Sequence, residues 1–312
     1  MPTIGQTTQP HQTDRERWLE ERRTGIGGSD AASVLGLNPW KSAIRLYLDK
    51  TGASIPGGDN ERMRIGRDLE GYVAQRFTEA TGFSLQNREA ILRHPRYDFM
   101  IATVDRLIKG ENAGLECKTT NSYAAKEWAE DIPVHYEIQC HHYMAVTGCE
   151  AWWIAVLIGN ERFLYKKIDR DEALIEKLIA AEKAFWYNHV LEQTMPAPDG
   201  SEDASEVINA CYSETEAGGD APLDYLQPAL NRLRDVKALI KTLNKEKKQL
   251  EQQMKLALKN DETGRIGQTK ISWKPVHSTV FDTKNFKSDY PDLYNRYTRE
   301  KTYRRFNIGK GT

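Results

Sequence analysis

Apolar residues recur along this chain in two rhythms, one near four and one of two, and the alternation between them marks out helices and strands. Leu69, Val73 and Phe77 fall four apart, so a helix running on from Met63 with one buried face is expected, ended by Gly82. The same rhythm predicts helices over residues 14–23 (Trp18, Leu19), 31–35, 42–50 (Ile44, Leu46, Tyr47, Leu48) and 171–193 (Leu174, Leu178, Ala181, Phe185, Trp186), and over 122–147 with a break at Pro133. Period two, or short continuous apolar runs, predict strands over 85–92, 152–159 and 162–168, the last two as an antiparallel pair. Between them, Phe99 to Val104 runs into Asp105, and a loop with Lys109, Gly110, Asn112 and Gly114 turns the chain into Leu115, Glu116, Cys117 and Lys118. Helices and strands interleaved in this way predict an α/β (α+β) fold with a central sheet flanked by helices.

The pattern changes beyond residue 195. Pro196 to Asp220 carries Asp199, Glu202, Asp203, Glu206, Glu214, Glu216 and Asp220 with no Lys or Arg, which reads as an acidic linker over 196–222. From 223 to 260 the spacing is heptad. Leu226, Leu233, Ile240, Lys247 and Met254 alternate with Ala229, Val236, Leu243, Leu250 and Ala257 in one long amphipathic helix, whose seam is expected to meet its own chain or a second helix. A hairpin over 264–273 and a small tail follow. The expected division is a flexible arm (1–13), a main domain (14–195), the linker, and a basic extension (223–312).

Composition sharpens that division. The net charge over 312 residues is −1, yet residues 221–312 hold 20 Lys and Arg against 10 Asp and Glu, leaving 24 against 35 before them. Overall neutrality therefore does not argue against a polyanionic partner. The tail interleaves Tyr294, Tyr297, Tyr303 and Phe306 with Arg296, Arg299, Lys301, Arg304 and Arg305, a mixture that suits a nucleic-acid strand and also suits a solvated edge. No apolar run approaches the length of a membrane span, and the polar N-terminus has no signal-like core, so a cytoplasmic protein is expected. Cys117, Cys140, Cys149 and Cys211 lack CxxC spacing and read as reduced structural residues, and His135, His141 and His142 lack the cysteines or HExxH pattern of a zinc site.

Candidate chemistry gathers around the central hairpin. In an extended segment Glu116 and Lys118 share a face opposite Leu115 and Cys117, and a hairpin brings Asp105 beside them. Two carboxylates and an ammonium form the set a magnesium-dependent phosphodiesterase uses, although a solvated turn with a surface ion pair has the same sequence. Upstream, Gly25, Gly27 and Gly28 precede a helix that Ser29 or Asp30 can cap. Arg22, Arg23 and Ser29 are candidates to hold a phosphate there, with a plain capped turn as the alternative. Glu70 lies beside the apolar stripe of its helix as ligand or rim residue. Tyr136, Gln139 and Tyr143 put polar groups on one face of the helix after Pro133.

GIGGSDAASVLGLNPWKS with Arg23 before it, Gly66 and Glu70 on a helix, Asp105 with Glu116-Cys117-Lys118, and Tyr136-x-x-Gln139 occur here in order. Over residues 14–195 that set resembles the YqaJ-type viral recombinase nucleases, relatives of the phage lambda exonuclease in the PD-(D/E)xK superfamily. The resemblance implies a restriction-endonuclease-like core and Mg2+, with Mn2+ as a substitute, bound by Asp105, Glu116, the Cys117 carbonyl and Glu70. It implies that Lys118 positions the attacking water, that Gln139 and Tyr136 support the site, and that Arg23 and Ser29 take the 5′-phosphate of DNA. Val104 stands where many members have proline. The interval from Arg23 to Ser29 is shorter than in the lambda enzyme, which leaves Arg22 or Arg23 open. The implied activity is a 5′-to-3′ exonuclease on linear duplex DNA, making 3′ single strands for an annealing protein, and the implied assembly is the trimeric ring of the lambda relative. An endonuclease or a non-catalytic DNA-binding accessory is the alternative.

Overall fold

The computed structural model describes residues 14–53, 60–88, 90–215 and 219–309; the arm expected over residues 1–13 lies outside them. The chain divides into two compact units, 1–213 and 214–312.

In the first unit, α1 (Asp14–Arg23), α2 (Gly28–Val34), α3 (Ala43–Thr51) and α4 (Glu61–Thr81) precede β1 (Leu85–Asn87), β2 (Leu92–Arg93), β3 (Ile101–Ala102), β4 (Arg106–Ile108) and β5 (Ala113–Thr120). Then come α5 (Ala125–Glu130), α6 (Val134–Thr147), β6 (Ala151–Ile158), β7 (Arg162–Asp169), α7 (Glu172–Phe185) and α8 (Glu202–Cys211). Five strands form one mixed sheet in the order β1-β4-β5-β6-β7. Only β5 and β6 run parallel, in register from Ala113 opposite Ala151 to Thr120 opposite Ile158. Parallel neighbours need a crossover, and α5 and α6 supply it.

The period of two in β6 shows how the sheet is covered. Trp152, Ile154, Val156 and Ile158 join the core that holds Tyr143 and Met144 of α6. Ala151, Trp153, Ala155 and Leu157 face Val73 and Phe77 of α4 with Leu115 of β5. The sheet is thus a layer between α6 and α4, and any polar residue on its α6 face must find partners inside the protein. Gly114 has a packing reason, since a Cβ there would come within 2.3 Å of the Trp152 ring.

Three expectations change. The strand over 85–92 is two, β1 paired with β4 and β2 with β3, with polar Arg88 following the end of the first. The helix over 171–193 stops being α-helical at Phe185 and continues as a π-helical segment, Trp186–Leu191. Part of the supposed acidic linker is α8, capped by Ser201 and docked on α3. Ala204 and Val207 are buried, and Asp203 accepts from the Ser42 amide at 2.8 Å and from Arg45 Nε at 2.5 Å. The acidic count hid the short apolar stripe of Ala204, Val207 and Ile208.

The second unit is α9 (Gln227–Leu258), a hairpin of β8 (Thr263–Ile266) and β9 (Thr269–Ser272), α10 (Thr283–Asp289) and α11 (Pro291–Tyr297). The hairpin covers Leu258 at the end of α9, while Ile240, Leu243, Leu250 and Met254 of the heptad seam are exposed.

These contacts put a boundary after α8. A protein ending at Ser213 should retain the melting temperature of the first unit. One ending at Gly200 loses the burial of Ala204 and Val207 and should be destabilised by roughly 2–4 kcal/mol in chemical denaturation. Equal stability of the two truncations would refute the docking role of α8.

Candidate active site

Asp105 sits immediately before β4, and Glu116 and Lys118 lie on β5. The pairing of Arg106 with Leu115 sets Asp105 beside Glu116 across the hairpin. Leu115 and Cys117 belong to the α4 side, so Glu116 and Lys118 point to the α6 side. Asp105 Oδ2 accepts from the Cys117 amide at 2.8 Å. Glu116, only 3% exposed, accepts through Oε1 from Lys118 Nζ at 2.5 Å and from Gln139 Nε2 at 2.7 Å. Gln139 also donates to the Tyr143 hydroxyl at 2.8 Å, one turn further along α6. The other oxygen, Glu116 Oε2, is buried without a partner.

The electrostatics follow from this crowding. Burial, then Glu116 and Glu70, hold the Asp105 carboxyl well above the usual carboxylate range. Burial works against the Lys118 ammonium, but Glu116 and Asp105 outweigh it and raise its pKa, so this lysine stays protonated. Tyr136 lays its ring 4.9 Å from Lys118 Nζ, and burial raises its phenol. His135, the residue before it, is pushed down to about 4 by burial with help from Lys118, and is neutral at pH 7.

Glu70 is held by Arg106, its Oε1 accepting from Arg106 Nη1 at 2.6 Å. Among the described residues no three carboxylate, histidine or cysteine side chains are already gathered as a metal cage. The orphaned Glu116 Oε2 and the neighbouring Asp105 carboxyl nonetheless make an oxygen-bearing corner, the donor chemistry a hard divalent cation takes.

A second cluster forms where the glycine loop enters α2. The Ile26 amide donates to Phe99 O at 2.6 Å, and the Ile101 amide donates to Ile26 O at 2.9 Å. Gly25 and Gly28 are required by close approach, since a Cβ would meet Phe99 O at 2.5 Å and the Tyr143 ring at 2.5 Å, respectively. Of the two arginines, Arg22 donates through Nη2 to Ser29 Oγ at 2.9 Å. Buried Asp30 gathers Lys50 at 2.7 Å, Lys41 at 3.1 Å and Arg22 at 4.0 Å. Burial would raise the Asp30 carboxyl, but those three cations hold it well below the usual range. Lys41 and Lys50 are absent from the sequence-based site. Their positions in a separate helix and loop carry no local signal linking them to Asp30.

The sequence profile of the YqaJ-like viral recombinase domain matches residues 17–150. The Bacillus subtilis (strain 168) protein YqaJ, itself uncharacterized, is 43% identical over 301 residues, spanning 94% of each chain. The chain belongs to the YqaJ-like viral recombinase family. Among solved structures, the alkaline exonuclease LHK-Exo of Laribacter hongkongensis aligns with 57% of this chain and 94% of its own, at a TM-score of 0.50 and 21% identity. A phage-related exonuclease of Haemophilus somnus 129PT covers 54% of this chain and 96% of its own, with a TM-score of 0.43 and 16% identity. The first unit of the chain shares the fold of LHK-Exo. No helix among the chain's described residues is long and apolar enough to cross a membrane.

The Glu116–Lys118–Gln139 contacts generate a stability test. Lys118→Met leaves a buried carboxylate without its cation and should cost about 3 kcal/mol, the lower part of the range because the lysine keeps some solvent contact. Adding Glu116→Gln removes the uncompensated charge and should recover most of that loss. Urea denaturation of the two single variants and the double variant reads the coupling.

Proposed function

We propose that this protein is a metal-dependent DNA exonuclease that degrades linear duplexes from the 5′ end and leaves 3′ single strands for recombination by annealing. The observation that carries this reading is the convergence of Asp105, Glu116 and Lys118 on one face of β4 and β5, with one buried carboxylate oxygen left unpartnered. Family membership and the nuclease fold support it.

Asp105, Glu116 and the Cys117 carbonyl would hold Mg2+, or Mn2+ in its place, and Glu70 would join them on leaving Arg106. The bound cation would supply a Lewis acid for the phosphate and a more acidic water. Gln139 fixes Glu116 Oε1, which leaves Oε2 without a partner. Lys118, which Glu116 and Asp105 hold protonated, would serve as a donor that orients the attacking water and offsets charge on the phosphate. Tyr136 packs on the ammonium and limits its directions. The Arg22–Ser29 pair beside Lys41 and Lys50 would take the 5′-phosphate as a charge-assisted, multidentate ligand. LHK-Exo has been captured with dAMP, a nucleoside monophosphate of the kind such cleavage releases. The partner class is a single-strand annealing protein, and the assembly implied by the resemblance is a ring of three copies. An endonuclease would use the same carboxylates, and the anion pocket is what favours an end-dependent enzyme.

Two experiments test this. Duplex DNA labelled at one end should be degraded in Mg2+ and untouched in EDTA, with activity lost by at least about a hundredfold in Asp105→Ala, Glu116→Gln and Lys118→Ala. Wild-type rates in folded Glu116→Gln would eliminate the proposal. Separately, a 5′-phosphate should be preferred over a 5′-hydroxyl, and Arg22→Ala should abolish the preference while Arg23→Ala retains it. Rapid linearisation of a closed circle would instead favour the endonuclease.

A further inference from the structure

The turn between α2 and α3 leaves Trp40 on the surface, 64% exposed, at a place where an indole has no structural reason to be wet. Its setting is ordered. Asn38 Oδ1 accepts from the Trp40 amide at 2.9 Å and from the Lys41 amide at 3.2 Å, which pins the turn. On one side the ring meets His135 edge-on at 4.8 Å and lies 6.5 Å from Tyr136. Tyr136 in turn stacks on buried Trp128 at 5.4 Å and carries Lys118 Nζ over its face. On the other side the next residue, Lys41, reaches Asp30 in the Arg22–Ser29 cluster. Trp40 is therefore the outer ring of an aromatic shelf between the two charged sites.

We propose that Trp40 is a stacking site for a nucleobase, holding the terminal nucleotide of DNA between the Arg22–Ser29 cluster and the Lys118 side of the acidic corner. This rests on the reading that DNA ends are the substrate. The chemistry fits a base better than a protein side chain. A nucleotide brings a flat π face for the indole and a phosphate for the neighbouring cations, and the two are joined covalently at the spacing of one sugar. Because the turn is already hydrogen-bonded, little ordering is needed on binding. Stacking does not select among bases, so the site accepts any terminal nucleotide.

The test uses the full chain in EDTA, where binding is separated from cleavage, and two 5′-phosphorylated duplexes that differ only in whether the 5′-terminal nucleotide is intact or abasic. Fluorescence anisotropy should show wild type binding the intact end about tenfold more tightly than the abasic end. Trp40→Ala should lose about that factor on the intact end and stay within about twofold on the abasic end. Trp40→Phe, which keeps a ring, should remain within about threefold of wild type on both. Equal weakening on both ends, as a protein contact or a folding defect would produce, overturns the proposal, and so does unchanged binding by Trp40→Ala. Cleavage in Mg2+ by wild type reads the nuclease assignment independently. A protein that cleaves but shows no base-dependent loss at Trp40 refutes the stacking site alone, and one that shows the loss without cleaving refutes the nuclease reading alone.

Discussion

A carboxylate removed from water must be compensated locally or abandon its charge, and Glu116 is the residue on which that constraint falls. Lys118 answers it from two positions along the same strand, and Gln139 answers it from α6. Neither partner works without the layer that holds it. The parallel β5–β6 pair fixes the strand, the crossover through α5 and α6 lowers a helix onto its polar face, and Val73 and Phe77 of α4 close the opposite face. One oxygen remains without a partner, an arrangement that folding alone would not favour.

The same constraint is met at Asp30 with the signs reversed in number, since one buried carboxylate there is surrounded by three cations. In the first site, Asp105 and Glu116 face the one lysine, Lys118. In the second, Arg22, Lys41 and Lys50 outnumber Asp30 and its neighbour Asp49. The molecule thus carries two clusters of opposite charge balance, each built around a carboxylate that cannot leave.

What could be read from residue pattern was whatever depends on local periodicity. The face-sharing of Glu116 and Lys118, the stripe of α4, the break at Pro133 and the i, i+3 placement of Tyr136 and Gln139 all follow from helix and strand geometry. Contacts between distant segments were not legible. Periodicity does not say that Arg106 would claim Glu70, that Lys41 and Lys50 would converge on Asp30, or that α8 would dock on α3 through Asp203 and Arg45. The Arg22–Ser29 hydrogen bond belongs to the same class, because adjacent residues on a helix point about 100° apart and only the tertiary position of Ser29 brings Arg22 to it.

Gly28 ties the two sites together mechanically. With hydrogen in place of a side chain, the start of α2 rests directly on the Tyr143 ring of α6, the helix that also presents Gln139 to Glu116. Close-packed interiors resist compression, so the span from the cationic pocket to the acidic corner cannot stretch or shorten without prising α2 from α6. Were a polymer gripped at its terminus by the cationic pocket, as proposed above, such a frame would act as a caliper: the length of the protein between the two jaws would set which bond reaches the acidic corner, whatever letters the polymer spells.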